Sequence, residues 1–202
     1  DHSYLAREME LGTAIVFLDR PQQRLEADAV TLDDAGGART AVSHLIAHGH
    51  RRIALLAQSL ALYTLAERRR GYLEALAAAG IEADPALAAE AETVDDARVA
   101  TGALLAADEP PTAIFCANNR MSVGAISAVR ASGQPIALVG FDDLELAEAL
   151  AVPLTVVRTD AAELGRTGAR LLLRRIAGWD APPQRVILPT TLVVRGSGEI
   201  AP

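Results

Sequence analysis

An α/β fold with mostly parallel, doubly wound sheets is the class this sequence predicts, and three observations predict it. Short apolar runs alternate with stretches of helical periodicity along nearly all of the 202 residues. Polar turns at Asp33–Asp34, Asn118–Asn119 and Asp142–Asp143 separate runs from helices. The stretch 112–143, TAIFCANNRMSVGAISAVRASGQPIALVGFDD, reads as one complete β-α-β unit.

In chain order, residues 2–11 read as a short helix leading into a strand, TAIVFL (13–18), which Asp19-Arg20-Pro21 ends. ADAVTL (27–32) is the next strand, with Asp33 and Asp34 as turn and N-cap. Ala38, Ala41, Val42, Leu45 and Ile46 then share one face of a helix that stops at Gly49. RIALLA (52–57) is a strand, followed by a helix over Leu65–Ala79 closed by Gly80. Residues 84–94 hold room for a weak strand, and Asp95 and Asp96 are placed to cap a helix covering Val99, Ala103 and Leu104. In the central unit TAIFC is a strand, Asn118–Asn119 caps a helix with Val123, Ile126 and Val129 at helical spacing, and IALVG is the second strand. Residues 144–151 are a poorly patterned loop or short helix, and LTVVR (154–158) is a strand. Asp160 and Glu163 have capping-box spacing for a helix over Leu164, Leu171, Leu172 and Ile176, ended by Gly178. RVILPTTLVVR reads as a last strand pair interrupted by Pro189.

Composition narrows the function. Half the residues are hydrophobic, enough for a real core, while aromatics are only 3%, too few for stacking platforms that hold single-stranded nucleic acid. A net charge of −7 argues against a free-standing nucleic-acid-binding domain. The single cysteine, Cys116, sits in an apolar run and reads as a core residue. No apolar stretch is long enough to span a membrane and no secretory leader is visible, so a soluble, cytoplasmic protein is expected.

The central unit carries the strongest chemical signal. A parallel β-α-β unit places the turns around Asn118 and Asp142 at the carboxyl ends of neighbouring strands, the edge where open α/β sheets bind ligands. Amides donate and accept while carboxylates accept from OH groups, so the pair suits a neutral, hydroxyl-rich ligand. Asn119 and Asp143 read equally well as helix caps. Arg68, Arg69 and Arg70 form the densest basic run; consecutive helical residues spread widely around the axis, so the three cannot share one role. His44, His48 and His50 form H-x3-H-x-H, but no carboxylate or cysteine completes a metal site at ligand spacing, and histidine is favoured at a helix end by the dipole. No nucleophile elbow, phosphate loop, dinucleotide fingerprint or zinc motif appears, so no enzyme, cofactor or metal is expected.

Seven stretches, in their order and spacing, carry a wider likeness. They are FLDRP (17–21), the DD-x3-A run leading to HLIAHGHRRIALL (44–56), ERRRGYLEALAAAGI (67–81), PTAIFCANNRMSVGAISAV (111–129), IALVGFDD (136–143), PLTVVRTDAAELGRTGARLLL (153–173) and LPTTLVVRGS (188–197). With them the chain resembles the lactose/galactose repressor (LacI/GalR) family of bacterial transcription regulators. The resemblance implies a two-lobed, periplasmic-binding-protein-like core that holds a small effector, a carbohydrate in many members, between its lobes. It also implies a homodimer, and operator DNA bound through a separate N-terminal helix-turn-helix headpiece. Carried over by position, Arg68, Asn118 and Asp142 are the effector-binding residues, with Thr64, Asp19, Asp33 and Arg120 at further positions that can line the cleft.

The chain departs from its relatives in places. Asn119 stands where many have aspartate, no aromatic stands near Ala97, and the turn 131–135 is short. Against the family pattern the headpiece and the first two β-α units of the N-terminal lobe are expected to be missing, leaving that lobe incomplete. The expected lobes are 1–33 with 159–185, and 34–158 with 186–202. Two other readings stay open on residues alone: a periplasmic-type sugar-binding protein of a transport system, and a sugar-modifying enzyme on a similar sheet.

Overall fold

A computed structural model describes residues 2–145 and 147–202; Leu146, inside the expected loop 144–151, lies outside the described residues. The chain begins with a single 3₁₀ turn, Ser3–Leu5, and then runs α1 (Ala6–Glu10), β1 (Val16–Leu18), β2 (Asp28–Leu32), α2 (Asp34–Ala47) and β3 (Ile53–Ala57). Next come α3 (Tyr63–Ala78), β4 (Ala88–Glu90), α4 (Val94–Leu105), β5 (Ala113–Cys116), α5 (Asn119–Ser132) and β6 (Ala137–Phe141). After a 3₁₀ turn at Ala147–Ala149 the chain ends with β7 (Thr155–Arg158), α6 (Ala161–Ile176), β8 (Arg185–Leu188) and β9 (Thr191–Val193). It divides into two compact units, Asp1–Asp33 with Asp160–Pro189, and Asp34–Thr159 with Thr190–Pro202.

The first unit is built on a three-stranded parallel sheet in the order β1-β2-β8. Every residue of β2, the middle strand, is buried. Helix α6 lies close against β1, where a Cβ on Gly168 would stand 2.4 Å from Leu18 Cδ2. Asp28 at the start of β2 is almost fully buried and neutralised by Arg175 of α6, whose Nε and Nη2 donate to its two oxygens at 2.7 and 2.9 Å. That guanidinium, joined by the Gln184 backbone N–H, holds the Asp28 carboxyl below the usual range.

The second unit is a six-stranded sheet in the order β4-β3-β5-β6-β7-β9, parallel except where β9 runs antiparallel to β7. Alternate residues of each strand face opposite layers, as the pleat requires. Ile53, Leu55, Phe115, Val139 and Val157 pack with Val42 and Leu45 of α2 and Leu65, Tyr72 and Leu76 of α3. Leu56, Ile114, Cys116, Leu138 and Val156 pack with Leu104 and Leu105 of α4 and Met121 and Ala125 of α5. A sheet covered on both faces explains why its strands read as unbroken apolar runs. The helices in each layer touch through glycine: a Cβ on Gly71 would sit 2.1 Å from the Ala35 carbonyl oxygen, and one on Gly124 would sit 2.5 Å from the Ala97 Cβ. Burial pushes the Cys116 thiol up to about 12, so it is an inert core group.

Several expected details differ. The strand at 13–18 shortens to Val16–Leu18, and the weak strand within 84–94 is β4. Helix α4 is capped by Thr93, not by Asp95 and Asp96; Asp96 completes a capping box by accepting from the Thr93 backbone N–H. Asp160 does cap α6 through the Glu163 N–H, but the Glu163 side chain pairs with Arg166, Thr167 and Arg170 instead of closing a box. The expected apolar stripe of α5 is rotated: Met121, Gly124, Ala125 and Ala128 are buried and Val123 is exposed, as Val99 is on α4. The last strand pair is no hairpin. Arg185–Leu188 pairs with β2 and Thr191–Val193 with β7, so the return to the second unit falls between Pro189 and Thr190 instead of at 185–186.

Candidate functional site

Three adjacent parallel strands of the second unit end in polar residues. Gln58 follows β3, Asn118 follows β5 and Asp142 follows β6, and these strands are neighbours in the order β3-β5-β6. Behind them lies Arg68, in the second turn of α3. It is 5% exposed, whereas Arg69 and Arg70 beside it are exposed. Arg70 pairs at the surface with Glu67 and Glu74, so the run separates into one buried and two outer arginines as helical geometry requires.

The Arg68 guanidinium reaches three elements. Its Nε donates to Asp34 Oδ1 at 2.7 Å, and its Nη1 donates to the Ala117 carbonyl at 2.8 Å and to Asp142 Oδ2 at 2.9 Å. Its carbon centre lies 3.7 Å from the centroid of the Phe141 ring. A planar fork can serve an acid on either side and stack on an arene at once, which an ammonium cannot. Asp34 is almost fully buried, while the Asp142 side chain keeps 31% of its surface exposed. The site therefore has an inner carboxylate that anchors the arginine and an outer one that the arginine presents.

Asp142 has φ 66°, a left-handed conformation that costs a non-glycine residue energy and is least costly for Asp or Asn. Asn118 is the N-cap of α5, its Oδ1 accepting from the Met121 N–H at 3.0 Å. Its capping role and its place at the strand end thus coexist. Thr64 is buried one turn before Arg68, and Arg120 is exposed in the first turn of α5. The structure thus brings Arg68, Asp142 and Asn118 to one sheet edge, with Arg68 touching the peptide that precedes Asn118. Asp19 and Asp33 belong to the first unit, following β1 and β2 there. Asp19 repeats the left-handed backbone of Asp142, with φ 69°.

The three histidines each have a partner of their own. His44 Nε2 pairs with Glu199, His48 Nδ1 contacts the His44 carbonyl, and fully buried His50 lies between Thr112 Oγ1 and the Ile200 carbonyl. Burial lowers the His50 pKa, disfavouring the charged ring. Among the described residues no group of His, Cys, Asp or Glu is arranged to hold a metal ion, and no helix is long and apolar enough to cross a membrane.

Comparison with known proteins gives this geometry a lineage. Residues 42–198 match the family model described as a periplasmic binding protein-like domain. A LacI-family regulatory protein from Chloroflexus aggregans superposes with a TM-score of 0.89 at 32% identity, over 96% of this chain and 71% of that one. The chain belongs to the LacI family. The transcriptional regulator CelR of Thermobifida fusca is 39% identical over 94% of this LacI-family chain, which spans 58% of that protein. The structure of a CelR–cellobiose complex superposes with a TM-score of 0.84 at 38% identity, over 90% of this chain and 58% of the other. The chain thus has the periplasmic-binding-protein-like fold of LacI-family regulators, and it spans little more than half the length of the curated relatives it matches.

Sequence reasoning missed three members of the site region. Asp34 reads as a cap in sequence, yet it is the buried partner of Arg68; a buried arginine demands such a carboxylate, and that demand is the signal that could have found it. Asp143, read as a possible cap, accepts two bonds from Arg195 at 2.7 and 2.8 Å, and this guanidinium holds its carboxyl below the usual range. Gln58 had no motif to mark it.

Proposed function

We propose that this chain is the ligand-sensing core of a LacI-type transcriptional regulator, and that its effector is a small, hydroxyl-rich sugar. The observation that carries the reading is the outer carboxylate of Asp142, held in a left-handed backbone and gripped from behind by Arg68. It follows β6, whose neighbour β5 leads into Asn118. A carboxylate and an amide at neighbouring strand ends suit adjacent hydroxyls, which donate to one and exchange both roles with the other. Thr64, Arg120, Asp19 and Asp33 are further effector-binding candidates, and the two compact units are the two lobes of the family core. The cellobiose complex of CelR supports a sugar as effector here. Regulators among relatives at 30% identity or more support this reading over a transport protein or an enzyme.

With a net charge of −7, the 202 residues themselves are not the DNA-binding surface. Operator contact belongs to a separate headpiece, and the whole protein works as a cytoplasmic homodimer whose DNA affinity the sugar changes. A thermal-shift panel of cellobiose, lactose, maltose, glucose and ribose tests the reading. A sugar at about a hundred times its dissociation constant stabilises the native state by about 2.7 kcal/mol. In a domain of this size that is a rise of about 5–10 °C. A panel that leaves the melting temperature unmoved overturns the sugar assignment.

A further inference from the structure

The side-chain amide of Asn118 has two donors and two acceptor lone pairs, and it spends two of these inside the protein. Its Oδ1 accepts from the Met121 N–H, which fixes which end of the amide is oxygen. Its Nδ2 donates to Gln58 Oε1 at 3.3 Å. Gln58 in turn aims its Nε2 at Glu92, at 3.3 Å from both the backbone carbonyl and Oε2 of that residue. Three neighbouring strands deliver the row. Leu56 of β3 lies opposite Cys116 of β5, so Gln58 and Asn118 both stand two residues past a paired position. On the other side of β3, Ala57 lies opposite Glu90 of β4, two residues before Glu92.

A donor count separates the roles. Gln58 directs its amide nitrogen toward two oxygens of Glu92 and its oxygen toward Asn118, so both ends of that amide already face protein partners. Asn118 keeps one N–H and one lone pair. The terminal torsion of asparagine is broad, so the cap bond alone lets the amide plane rock about it. A second bond, at the nitrogen end, stops that motion. The Glu92 carboxylate polarises the Gln58 amide and makes its oxygen a better acceptor.

We infer that Gln58, oriented by Glu92, is a positioning residue that fixes the plane of the Asn118 amide and so aims its remaining N–H and lone pair at the effector. The inference rests on the sugar-binding reading and deepens it, because it turns an affinity residue into one with a set direction. A sugar epimer that moves one hydroxyl is discriminated only if the amide cannot follow it.

The test uses the full 202-residue chain, ¹⁵N-labelled, with cellobiose as the probe. Gln58→Leu removes the acceptor at similar volume. The double variant Gln58→Glu/Glu92→Gln exchanges carboxylate and amide between the two positions and keeps an acceptor facing Asn118. In Gln58→Leu the Asn118 side-chain NH₂ signals should shift and exchange with solvent several-fold faster, while the Met121 amide, which reports the cap and the fold, stays protected. Cellobiose affinity should fall roughly three- to tenfold. Both effects should largely revert in the double variant, which a merely structural role for Gln58 would not produce. An Asn118 amide indifferent to Gln58→Leu overturns the inference, as does an amide that loosens with no loss of cellobiose affinity. A wild-type chain that binds neither cellobiose nor any other sugar of the thermal-shift panel shows up separately, in the titrations alone, and counts against the sugar reading on which the inference stands.

Discussion

Replacing Arg68 by methionine removes the charge and the fork but keeps an apolar stem against Phe141, so little of the cost comes from an empty cavity. What is lost is three hydrogen bonds, at 2.7, 2.8 and 2.9 Å, and the cation that neutralises Asp34. Asp34 is only 1% exposed at its side chain, so water cannot take over from the guanidinium. Bonds to charged groups contribute about 1.5–3 kcal/mol each, but they are not additive when one group makes all three. Stripping one partner from a buried ion pair costs about 3–5 kcal/mol, and that range is expected here. For a chain of this length it corresponds to a fall of about 6–20 °C in melting temperature, read by circular dichroism at pH 7. Arg70→Ala is the control: its partners Glu67 and Glu74 lie on the same helix surface with Arg70 half-exposed, and such a pair contributes under about 1 kcal/mol. If Arg68→Met melts within about 2 °C of wild type, or if Arg70→Ala costs as much, the buried arginine is not what fastens α2, α3 and the β5 and β6 ends together.

Three further outcomes follow from the geometry. Asp142→Asn keeps a residue tolerant of the left-handed backbone but removes the charged acceptor, and should weaken binding of the stabilising sugar by about 1.5–3 kcal/mol in isothermal titration; unchanged affinity would take Asp142 out of the site. Gly71→Ala places a methyl 2.1 Å from the Ala35 carbonyl, a backbone atom, and should cost about 3 kcal/mol, the upper end for overpacking; a variant with wild-type unfolding in urea would mean the α2–α3 contact is looser than described. Asp28 has a depressed pKa, chiefly from the Arg175 hydrogen bond, so its contribution is complete above the unfolded-state value near about 4 and disappears as pH falls through the lower native value. The stability gap between wild type and Arg175→Met should therefore be widest above about pH 4 and close below it, and a gap independent of pH would refute the assignment.

How far the sequence could be read depends on what each residue type reveals by itself. The six-stranded sheet was legible because strands covered on both faces, such as IALLA and TAIFC, cannot be anything but apolar. Helical spacing said only that Arg68, Arg69 and Arg70 cannot share a face; it was the family resemblance that singled out Arg68. The α5 stripe was misread because its buried face is made of Met121, Gly124, Ala125 and Ala128, and small residues register weakly as hydrophobic even when a neighbouring helix needs them. Asp34 and Asp143 were misread for a different reason. An acid after a strand looks like a cap in sequence, and only the arrival of a distant arginine, Arg68 or Arg195, shows what it answers to. The split at Pro189 was hidden because both flanking segments are good strands; proline marks the break but not which sheet each half joins.

The path of the chain has a consequence for synthesis. It leaves the second unit at Thr159, completes the first with β8, and returns only at Thr190. A ribosome therefore delivers every strand of the three-stranded sheet before it delivers β9, the edge of the six-stranded one. The last residues are structural as well: Ser197 bonds the Leu138 carbonyl and the Thr155 N–H, Glu199 meets His44, and the Ile200 carbonyl faces buried His50. The unit that carries Arg68, Asn118 and Asp142 is thus the later of the two to receive all its strands. A nascent chain stalled before Thr191 holds all three strands of the first sheet, while the six-stranded sheet still lacks its edge strand and buried His50 lacks the Ile200 carbonyl.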